Sequence, residues 1–434
     1  MSRRPGQPWC GVSEDWGWPM SVAVVDAEDW PDGIPAESLD PQRPYASLVV
    51  RRMLRPVGVM CIAAGGGATG AMIGPLPSEP TGPPPDLLPA SGDLPAVTVV
   101  VCTRFDRRRT LLECLASLRA LDGAPAEILV VDNRPRADAQ SRREVEALGG
   151  VRVLHESRPG LAAARNRALR AASGELIAFT DDDALVDPIW LRALAGRLRA
   201  HPEEVGVCGL VLPRALDTAA QVRLETYRGG FGPRGLVAVS HRLRTVPRPG
   251  RVAAPYVDAL DDRGRVLDSA LLYEFGQYGV GANMAFRTAA LRAAGGFDVR
   301  LGAGTPTCGG EDIELFVRLV GGGHALGFEP AAIVFHEHRR TAQELRLQMR
   351  QYGTGFTATL TALLANDPRR ALAMGGTLAA VVRARARDGA SASGGGRSRG
   401  STGVQRATLR RLEFRGMARG PDAFLRSWLR ATMV

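Results

Sequence analysis

The pattern of apolar and polar residues divides the chain near residue 95. Before this point, proline, glycine and tryptophan are frequent and no hydrophobic periodicity is sustained. Within it, "YASLVVRRMLRPVGVMCIAA" (45–64) favours a small strand pair, and the proline-rich residues that follow are typical of an extended linker. Residues 1–94 are therefore predicted to be a poorly defined extension that ends in a proline-rich linker.

Beyond residue 95, short apolar strands alternate with amphipathic helices four times. The strands are continuous aliphatic runs, the pattern of strands that are buried on both faces. This alternation predicts an α/β fold with a doubly wound, mostly parallel sheet, in which ligands bind beyond the carboxyl ends of the strands. The predicted strands are 96–103, 126–133, 151–156 and 175–180. One apolar face of the first helix consists of Leu111, Leu112, Leu115 and Leu118.

Three adjacent aspartates, Asp181, Asp182 and Asp183, follow the fourth predicted strand. Like charges in a row repel one another, and their desolvation is costly. Carboxylates that point into one crevice are the ligands that Mg²⁺ or Mn²⁺ needs, and a bound cation removes the repulsion. The sequence therefore predicts a divalent cation site here, with an aspartate-rich turn that caps the next helix as the alternative.

Other polar residues fall near the same predicted edge. Thr103 and Arg104 follow the first strand, and Asp132 ends the second, where it can bond a sugar hydroxyl or a base edge or can simply be a turn acid. Arg165 and Asn166 lie on a predicted helix. Arginine suits phosphate and asparagine suits polar edges, although an exposed helical face explains both equally simply.

The second half of the chain offers two further pairs of ionisable residues. Glu311 and Asp312 begin a predicted helix after a glycine-rich loop, where they can supply a general base or merely favourable charge at the helix start. His336 and His338 lie on one side of the last predicted strand, as structural residues or as part of a metal shell. Residues 205–279 show a less regular pattern.

Taken together and in this order, these motifs resemble the family 2 glycosyltransferases of the GT-A fold, over about residues 97–355. That resemblance implies a nucleotide-binding half (95–204) fused to an acceptor-binding half (205–342). Beyond them, the residues themselves predict a helical extension (343–388) and a basic, flexible or amphipathic tail (389–434). The motifs are "VVVCTRFDR", "ILVVDN", "RPGLAAARNRAL", "LIAFTDDDALVDPIWL", "GANMAFRTAALRAAGGFD", "GAGTPTCGGEDIELFVRLVGGGH" and "PAAIVFHEHRR".

The resemblance also implies roles for individual residues. Asp181 and Asp183 correspond to the family's DxD pair, which touches the ribose and the metal, and His336 looks like its late metal ligand. Asp312 matches the catalytic base, with Glu311 beside it. The residues implied in nucleotide binding are Thr103, Arg104, Asp132, Arg165, Asn166, Asp181 and Asp182. Those implied in acceptor binding are Asn283 and His338.

The expected reaction is the transfer of one sugar from a nucleotide-sugar donor to a hydroxyl of a glycan, a lipid-linked molecule or a small molecule, with inversion and with Mg²⁺ or Mn²⁺. The sequence lacks the QxxRW-like motif of processive members, so single addition is expected. A sugar-nucleotide nucleotidyltransferase is one alternative, but "CTRFDRRRT" lacks the glycine and lysine of a phosphate loop. The other is a catalytically silent nucleotide- or glycan-binding module.

Charge and composition do not alter the predicted fold or reaction. All 55 basic residues are arginine, and the formal net charge is +10. Twelve of these arginines lie in 381–434 beside three acids, so the rest of the chain is nearly neutral and nucleic acid is not expected as a partner. The basic tail also carries Leu, Phe and Trp, which suits either an anionic membrane surface or packing on the catalytic domain.

Cysteine spacing and targeting patterns favour a cytoplasmic protein, which would be peripheral at the inner face of the membrane if this tail binds there. The six cysteines are scattered singly, which fits a reducing compartment. The N-terminus lacks the apolar run of a signal peptide. The most apolar stretch, 57–74, is interrupted by glycine and is not expected to span a membrane.

Overall fold

The computed structural model describes nearly all of the predicted catalytic region. The predicted proline-rich linker lies outside the described residues up to residue 87, as do residues 375–388 of the helical extension and 389–400 of the tail. The described residues are 19–26, 28–29, 43, 45–63, 88–232, 235–248, 251–371, 374 and 401–432.

The N-terminal region forms a small sheet that is attached to the rest of the chain. Its strands are β1 (Met20–Asp26), β2 (Tyr45–Arg52) and β3 (Arg55–Ala63). The antiparallel pairing of β2 with β3 confirms the predicted strand pair, whereas β1, parallel to β2, was not predicted. Buried Arg51 bonds both carboxylate oxygens of Asp187, at 3.0 and 3.1 Å, and so ties this sheet to the following region.

The four strands predicted after residue 95 are confirmed within two residues at each end. They alternate with helices, as predicted. These elements are β4 (Val97–Thr103), α1 (Arg108–Arg119), β5 (Glu127–Asp132), α2 (Ala139–Glu146), β6 (Val151–His155), α3 (Leu161–Ala171), β7 (Leu176–Asp181), β8 (Ala184–Val186) and α4 (Trp190–Ala200).

The second half is more regular than its sequence indicates, because 205–279 contains four strands and a helix. The elements are β9 (Glu204–Pro213), α5 (Ala219–Arg228), β10 (Val239–Arg248), β11 (Arg251–Leu260), β12 (Val266–Leu271), β13 (Asn283–Arg287), α6 (Thr288–Ala293), α7 (Glu311–Gly321) and β14 (Ala325–His336). As predicted, Glu311 and Asp312 open a helix. The last strand ends at His336, so His338 lies beyond the strand on which it was predicted.

All of the strands from β4 onward join one mixed sheet. Its order is β12-β11-β10-β14-β9-β13-β7-β4-β5-β6, and β8 pairs with β14 off this path. Strands β6, β5, β4 and β7 are mutually parallel, as predicted, and β9 and β14 share their direction. Strand β13 runs against its neighbours β7 and β9, and β10–β12 form an antiparallel extension.

Side chains alternate between two apolar layers on the two faces of this sheet. In β4, Val100 packs into the layer that contains α3 and α7, whereas Val99 and Val101 pack into the layer that contains α1 and α4. Both faces are therefore covered, which explains the uninterrupted aliphatic runs. The parallel strands point their carboxyl ends to one uncovered edge, where the predicted polar residues lie.

The C-terminal residues form three helices, α8 (Ala342–Asn366), α9 (Ser401–Met417) and α10 (Gly420–Thr432). Helix α8 begins close to the start of the predicted helical extension. Helices α9 and α10 pack on α8, so this part of the tail is held against the catalytic region. Helices α8 and α9 can approach closely because residues 353 and 416 are glycines. A Cβ at Gly353 would overlap the Glu413 carbonyl, and a Cβ at Gly416 would overlap the Arg350 carbonyl. Among the described helices, none has the length and apolarity needed to cross a membrane.

Candidate active site

Strand register collects the predicted polar residues at one edge of the sheet. Thr103, the last residue of β4, lies opposite Asp132 of β5, and Cys102 lies opposite Asp181 of β7. Because β4 pairs in parallel with both β5 and β7, these three strands end side by side. This alignment places the polar residues that end the first, second and fourth predicted strands at the same edge of the sheet.

The return strand β8 adds a histidine to this cleft. Immediately after the aspartate triplet, β8 pairs antiparallel with β14, and Ala184 lies opposite His336. The Glu337 backbone N–H donates to the Asp183 carbonyl at 3.0 Å, which extends this pairing by one residue. His336 is therefore fixed beside the triplet although β14 lies three positions from β7 in the sheet.

Asp181, Asp183 and His336 form a compact cluster of possible metal ligands. His336 Nε2 lies 3.2 Å from Asp183 Oδ1 and 3.6 Å from Asp181 Oδ2, and one ligand atom from each residue falls within 4.8 Å of the others. His336 Nδ1 lies 3.0 Å from the Glu337 carbonyl oxygen, which can only accept, so Nδ1 carries a hydrogen and Nε2 is the atom that faces the acids. Two carboxylates and one oriented imidazole fit a divalent cation such as Mn²⁺.

The pKa shifts in this cluster show how strongly its charges interact. Burial opposes the charged form of Asp181, but His336, Arg165 and Arg107 outweigh it and lower the pKa of this carboxyl. Burial likewise opposes protonation of His336, but Asp183 and Asp181 raise its pKa. Burial, with Asp183 and Asp181 adding to it, raises the pKa of Asp182 to about 6. The triplet therefore holds its negative charge only where positive groups stand beside it.

Asp182 is held by β4 and does not join the cluster. Its Oδ2 accepts a hydrogen bond from Thr103 Oγ1 at 2.6 Å, and the same hydroxyl accepts from the Phe105 N–H at 2.9 Å. Phe105 adopts a positive φ of 59°, so the loop after β4 turns sharply at this point. Thr103 and Asp182 thus brace the two strand ends against each other, at the edge where the nucleotide was predicted.

The remaining residues predicted near the nucleotide differ in their accessibility. Arg104 is exposed, with its Nε 3.5 Å from Asp106. Asp132 is buried, and the Arg134 side chain bonds both of its carboxylate oxygens, at 2.9 and 2.7 Å. The Arg134 guanidinium also lies 4.5 Å from the centre of the Phe105 ring. Arg134 and Phe105 were not singled out from the sequence, because their neighbours give them no recognisable spacing.

Arg107 is a further residue at the site that sequence reasoning missed. Its guanidinium pairs with Asp183 Oδ2, opposite the oxygen that faces His336. Arg107 is the residue at the N-cap of α1, and its carbonyl accepts from Thr110 Oγ1 at 3.0 Å. The run "CTRFDRRRT" contains several arginines, and only the three-dimensional arrangement distinguishes this one.

A buried arginine links the acidic cluster to the start of α7. Arg165 of α3 donates to Glu311 Oε1 at 2.8 Å and to the Gly281 carbonyl at 3.0 Å, and it lies 3.5 Å from Asp181 Oδ1. A Cβ at Gly281 would lie 2.7 Å from the Arg165 guanidinium, so glycine is required there. Burial and the nearby Asp312 raise the pKa of Glu311, although Arg165 opposes this shift.

Asp312 and Glu311 have opposite environments although they are adjacent. Glu311 is buried against Arg165, whereas Asp312 is partly exposed and its Oδ2 accepts from the Gly281 N–H at 2.7 Å. Both lie in the first turn of α7, where the helix dipole favours negative charge. Asp312 is therefore the carboxylate of the pair that a molecule in the cleft can reach.

Three other predicted residues are engaged in packing. Asn166 bonds the backbone N–H and carbonyl of Phe297 and so holds the loop after α6. Asn283 lies buried in the sheet, where its amide accepts from Trp190 and donates to two carbonyls. His338 is buried, with Nε2 2.7 Å from Glu225 of α5. The structure does not bring Asn283 or His338 into the cluster around Asp183.

The region that supplies these strand ends is similar to a known protein family. The family model "Glycosyl transferase family 2" matches residues 98–241, the region that carries the first three strand ends and the aspartate triplet. This part of the chain belongs to glycosyl transferase family 2. The matched residues carry β4 to β9 of the mixed sheet, and residues beyond 241 complete this sheet.

Two relatives share about 30% of the aligned residues with this chain. The chain is 29% identical over 287 residues to the pre-mycofactocin glycosyltransferase of Mycobacterium tuberculosis, covering 66% of this chain and 52% of that protein. It is 30% identical over 121 residues to the glucosyl-dolichyl phosphate glucuronosyltransferase of Haloferax volcanii, covering 27% of this chain and 38% of that one. The chain thus spans about half the length, or less, of these curated relatives.

Solved structures also resemble the chain. A mannosyltransferase from Pyrobaculum calidifontis, solved with GDP-Man and Mn²⁺, has a TM-score of 0.46 and 18% identity, and the likeness covers 77% of this chain and 89% of that one.

Replacement of Arg165 by methionine is expected to destabilise the family 2 domain by about 3–5 kcal/mol at pH 8, because it leaves the buried Glu311 carboxylate without its partner. The loss should grow as pH rises, since a buried Glu311 with a raised pKa must bind a proton that the unfolded state releases. Denaturant unfolding at pH 6 and pH 8 measures both effects.

The double variant R165M/E311Q should recover part of this loss and remove its pH dependence. Arg152→Met, which breaks a half-exposed pair with Glu127, is the control and should cost less than about 1 kcal/mol. Equal losses for R165M and R152M would show that Arg165 does not compensate a buried charge.

Proposed function

We propose that this protein transfers one sugar from a nucleotide-sugar donor to an acceptor hydroxyl, with inversion at the anomeric carbon. The observation that carries the proposal is the position of Arg165 between two acidic groups. Its guanidinium contacts Asp181 of the metal-ligand cluster on one side and Glu311, next to Asp312, on the other. A donor site and a proton acceptor thus lie within reach of one cleft, as a transfer reaction requires.

The donor is proposed to lie across the strand ends. Asp181, Asp183 and His336 would hold Mn²⁺ or Mg²⁺, and such a cation, when bound, offsets the charge of the donor diphosphate as the sugar–phosphate bond breaks. Thr103, Arg104 and the buried edge around Asp132 would contact the nucleoside. Arg165 orients Asp181 from behind, because it is itself buried and tied to α7.

Asp312 is proposed as the general base. Its carboxylate is held by the Gly281 N–H and remains partly exposed, so it can take the proton of an acceptor hydroxyl. The hydroxyl oxygen then attacks the anomeric carbon from the face opposite the leaving diphosphate, which inverts the configuration. Glu311 is too enclosed to meet an acceptor and would act by fixing the start of α7.

The C-terminal helices support a proposal for the acceptor and the cellular setting. Helix α10 leaves Leu425, Trp428 and Leu429 exposed on one face, while α9 and α10 carry many arginines. Apolar anchors beside arginines suit the surface of an anionic membrane. We infer that the protein works in the cytoplasm at the inner face of the membrane, in cell-envelope or glycan biosynthesis, on a lipid-linked acceptor. The similar glucuronosyltransferase of Haloferax volcanii is named for a lipid-linked substrate, glucosyl-dolichyl phosphate.

Replacement of Asp312 by asparagine should lower kcat by about 10²–10⁴-fold, because the amide cannot take a proton. Donor affinity should change little, since the carboxylate does not belong to the metal-ligand cluster. A panel of nucleotide sugars assayed with Mn²⁺ for release of nucleoside diphosphate identifies the donor first. Calorimetric binding of that donor and single-turnover rates then separate the two effects.

Asp138→Asn is the matched control, since Asp138 caps α2 at the surface and should leave the rate unchanged. Near-normal turnover of D312N would remove Asp312 from the role of base. The proposed reaction would be contradicted if the unmodified protein bound donors of the panel but turned over none of them with glycan or lipid acceptors.

Binding to anionic vesicles should depend on the exposed face of α10. Leu425→Ser/Trp428→Ser is expected to reduce cosedimentation with phosphatidylglycerol-containing vesicles at least about tenfold, because each buried apolar side chain contributes about 1.5–3 kcal/mol. Phosphatidylcholine vesicles should bind the unmodified protein weakly, since they lack the negative charge.

The control variant Val266→Ser/Leu267→Ser removes two exposed apolar side chains of β12, away from the basic helices, and should bind like the unmodified protein. Equal vesicle binding by all three proteins would contradict the membrane contact. A dimer that L425S/W428S disrupts, without vesicle binding by the unmodified protein, would instead assign this face to a second copy of the chain.

A further inference from the structure

Arg107 supplies a positive charge to the acidic triplet that the proposed reaction leaves without a role. Its guanidinium pairs with Asp183 Oδ2, while His336 Nε2 lies 3.2 Å from Oδ1 of the same residue. Asp183 is buried, and each oxygen of its carboxylate lies beside one of these two basic side chains. A cation that uses Asp183 as a ligand therefore meets a carboxylate that is already engaged.

The Arg107 backbone is fixed, but its side chain is not enclosed. The carbonyl accepts from Thr110 Oγ1 at 3.0 Å and from the Leu111 N–H at 3.1 Å, which anchors the residue at the start of α1. The side chain remains 39% exposed, in contrast to the buried Arg165 on the other side of the cluster. The guanidinium can thus leave Asp183 by rotation of its own side chain, without movement of α1.

We propose that Arg107 competes with the divalent cation for the Asp183 carboxylate and moves from Asp183 to the donor diphosphate when cation and donor bind together. This inference rests on the proposed function, since it takes the cation site of Asp181, Asp183 and His336 as given. A guanidinium and a divalent cation on one carboxylate repel each other. A diphosphate offers the released guanidinium a new bidentate partner.

Two consequences distinguish this arrangement from a passive surface ion pair. The cation alone binds weakly, because it must displace Arg107 without giving the guanidinium a new partner. Cation and nucleoside diphosphate bind cooperatively, because the diphosphate supplies that partner. Arg107 is thereby a positioning residue that makes the cleft select the cation–diphosphate complex over the free cation.

The test measures Mn²⁺ binding by electron paramagnetic resonance of the free ion, with and without UDP or GDP. Arg107→Gln should bind Mn²⁺ alone about three- to tenfold more tightly than the unmodified protein, the effect of removing one partly exposed ion pair. The gain in Mn²⁺ affinity that the nucleoside diphosphate gives should shrink by a similar factor.

Arg109→Gln is the matched control, since it removes the same charge from the same segment but pairs with Glu113. It should bind Mn²⁺ within about twofold of the unmodified protein, as expected for an exposed and screened charge. Arg107→Lys keeps the charge without the planar fork and should fall between the unmodified protein and R107Q. If R107Q does not fold, as judged by circular dichroism, R107K decides the question.

The role of Arg107 would be overturned if R107Q and the unmodified protein bound Mn²⁺ with equal affinity. It would also be overturned if the nucleoside diphosphate raised the Mn²⁺ affinity of R107Q and R109Q by the same factor. Either result would leave the proposed transfer reaction intact. Failure of the unmodified protein to bind Mn²⁺ with either nucleoside diphosphate would overturn both the cation site and this inference. Tighter binding in R107Q alone, with reduced cooperativity, would support the competition.

Discussion

The structure depends on one electrostatic constraint, the need to balance three carboxylates at the end of a buried strand. Asp181, Asp182 and Asp183 follow one another where β7 leaves the sheet, and desolvated charges of one sign cannot stand together unpaired. Asp182 relieves part of the strain because burial and its two neighbours raise its pKa to about 6. The other two acids require positive groups, and the fold delivers these from three different elements.

Each of these positive groups is placed by a separate feature of the architecture. Arg165 comes from α3 and is accommodated because residue 281 is a glycine. His336 ends β14 and reaches the triplet because β8 turns back to pair with that strand. Arg107 extends from the start of α1. The same arrangement that compensates the triplet also builds a ligand set that fits a divalent cation, so stability and chemistry share one origin.

Sequence patterns predicted the local elements well because each is determined by its own residues. The aliphatic runs of β4, β5, β6 and β7 are buried on both faces, and the acids that open α7 suit a helix start. The clustering of the triplet with His336 was anticipated only through the family resemblance, because no local periodicity connects residues so far apart in the chain. The register of β8 against β14 supplies that connection.

The features that were missed depend on long-range contacts. Strands β10 and β11 together contain several arginines and have one proline each, and β12 is largely exposed, so no alternation marked them. The docking of the N-terminal sheet rests on Arg51 and Asp187, whose pairing no spacing reveals. Among the arginines after β4, Arg107 is distinguished only by the contact of its side chain with Asp183. Asn283 has a polar side chain at the start of a strand, yet it serves the sheet interior.

A crystal structure of the protein with Mn²⁺ and a nucleoside diphosphate, with anomalous data collected at the manganese edge, tests the central claim most directly. The account predicts one manganese ion about 2.0–2.3 Å from Asp181 or Asp183 and from His336 Nε2, bridged to the diphosphate. A nucleoside diphosphate bound in the cleft without manganese between these residues would contradict the claim that Asp181, Asp183 and His336 form a divalent cation site.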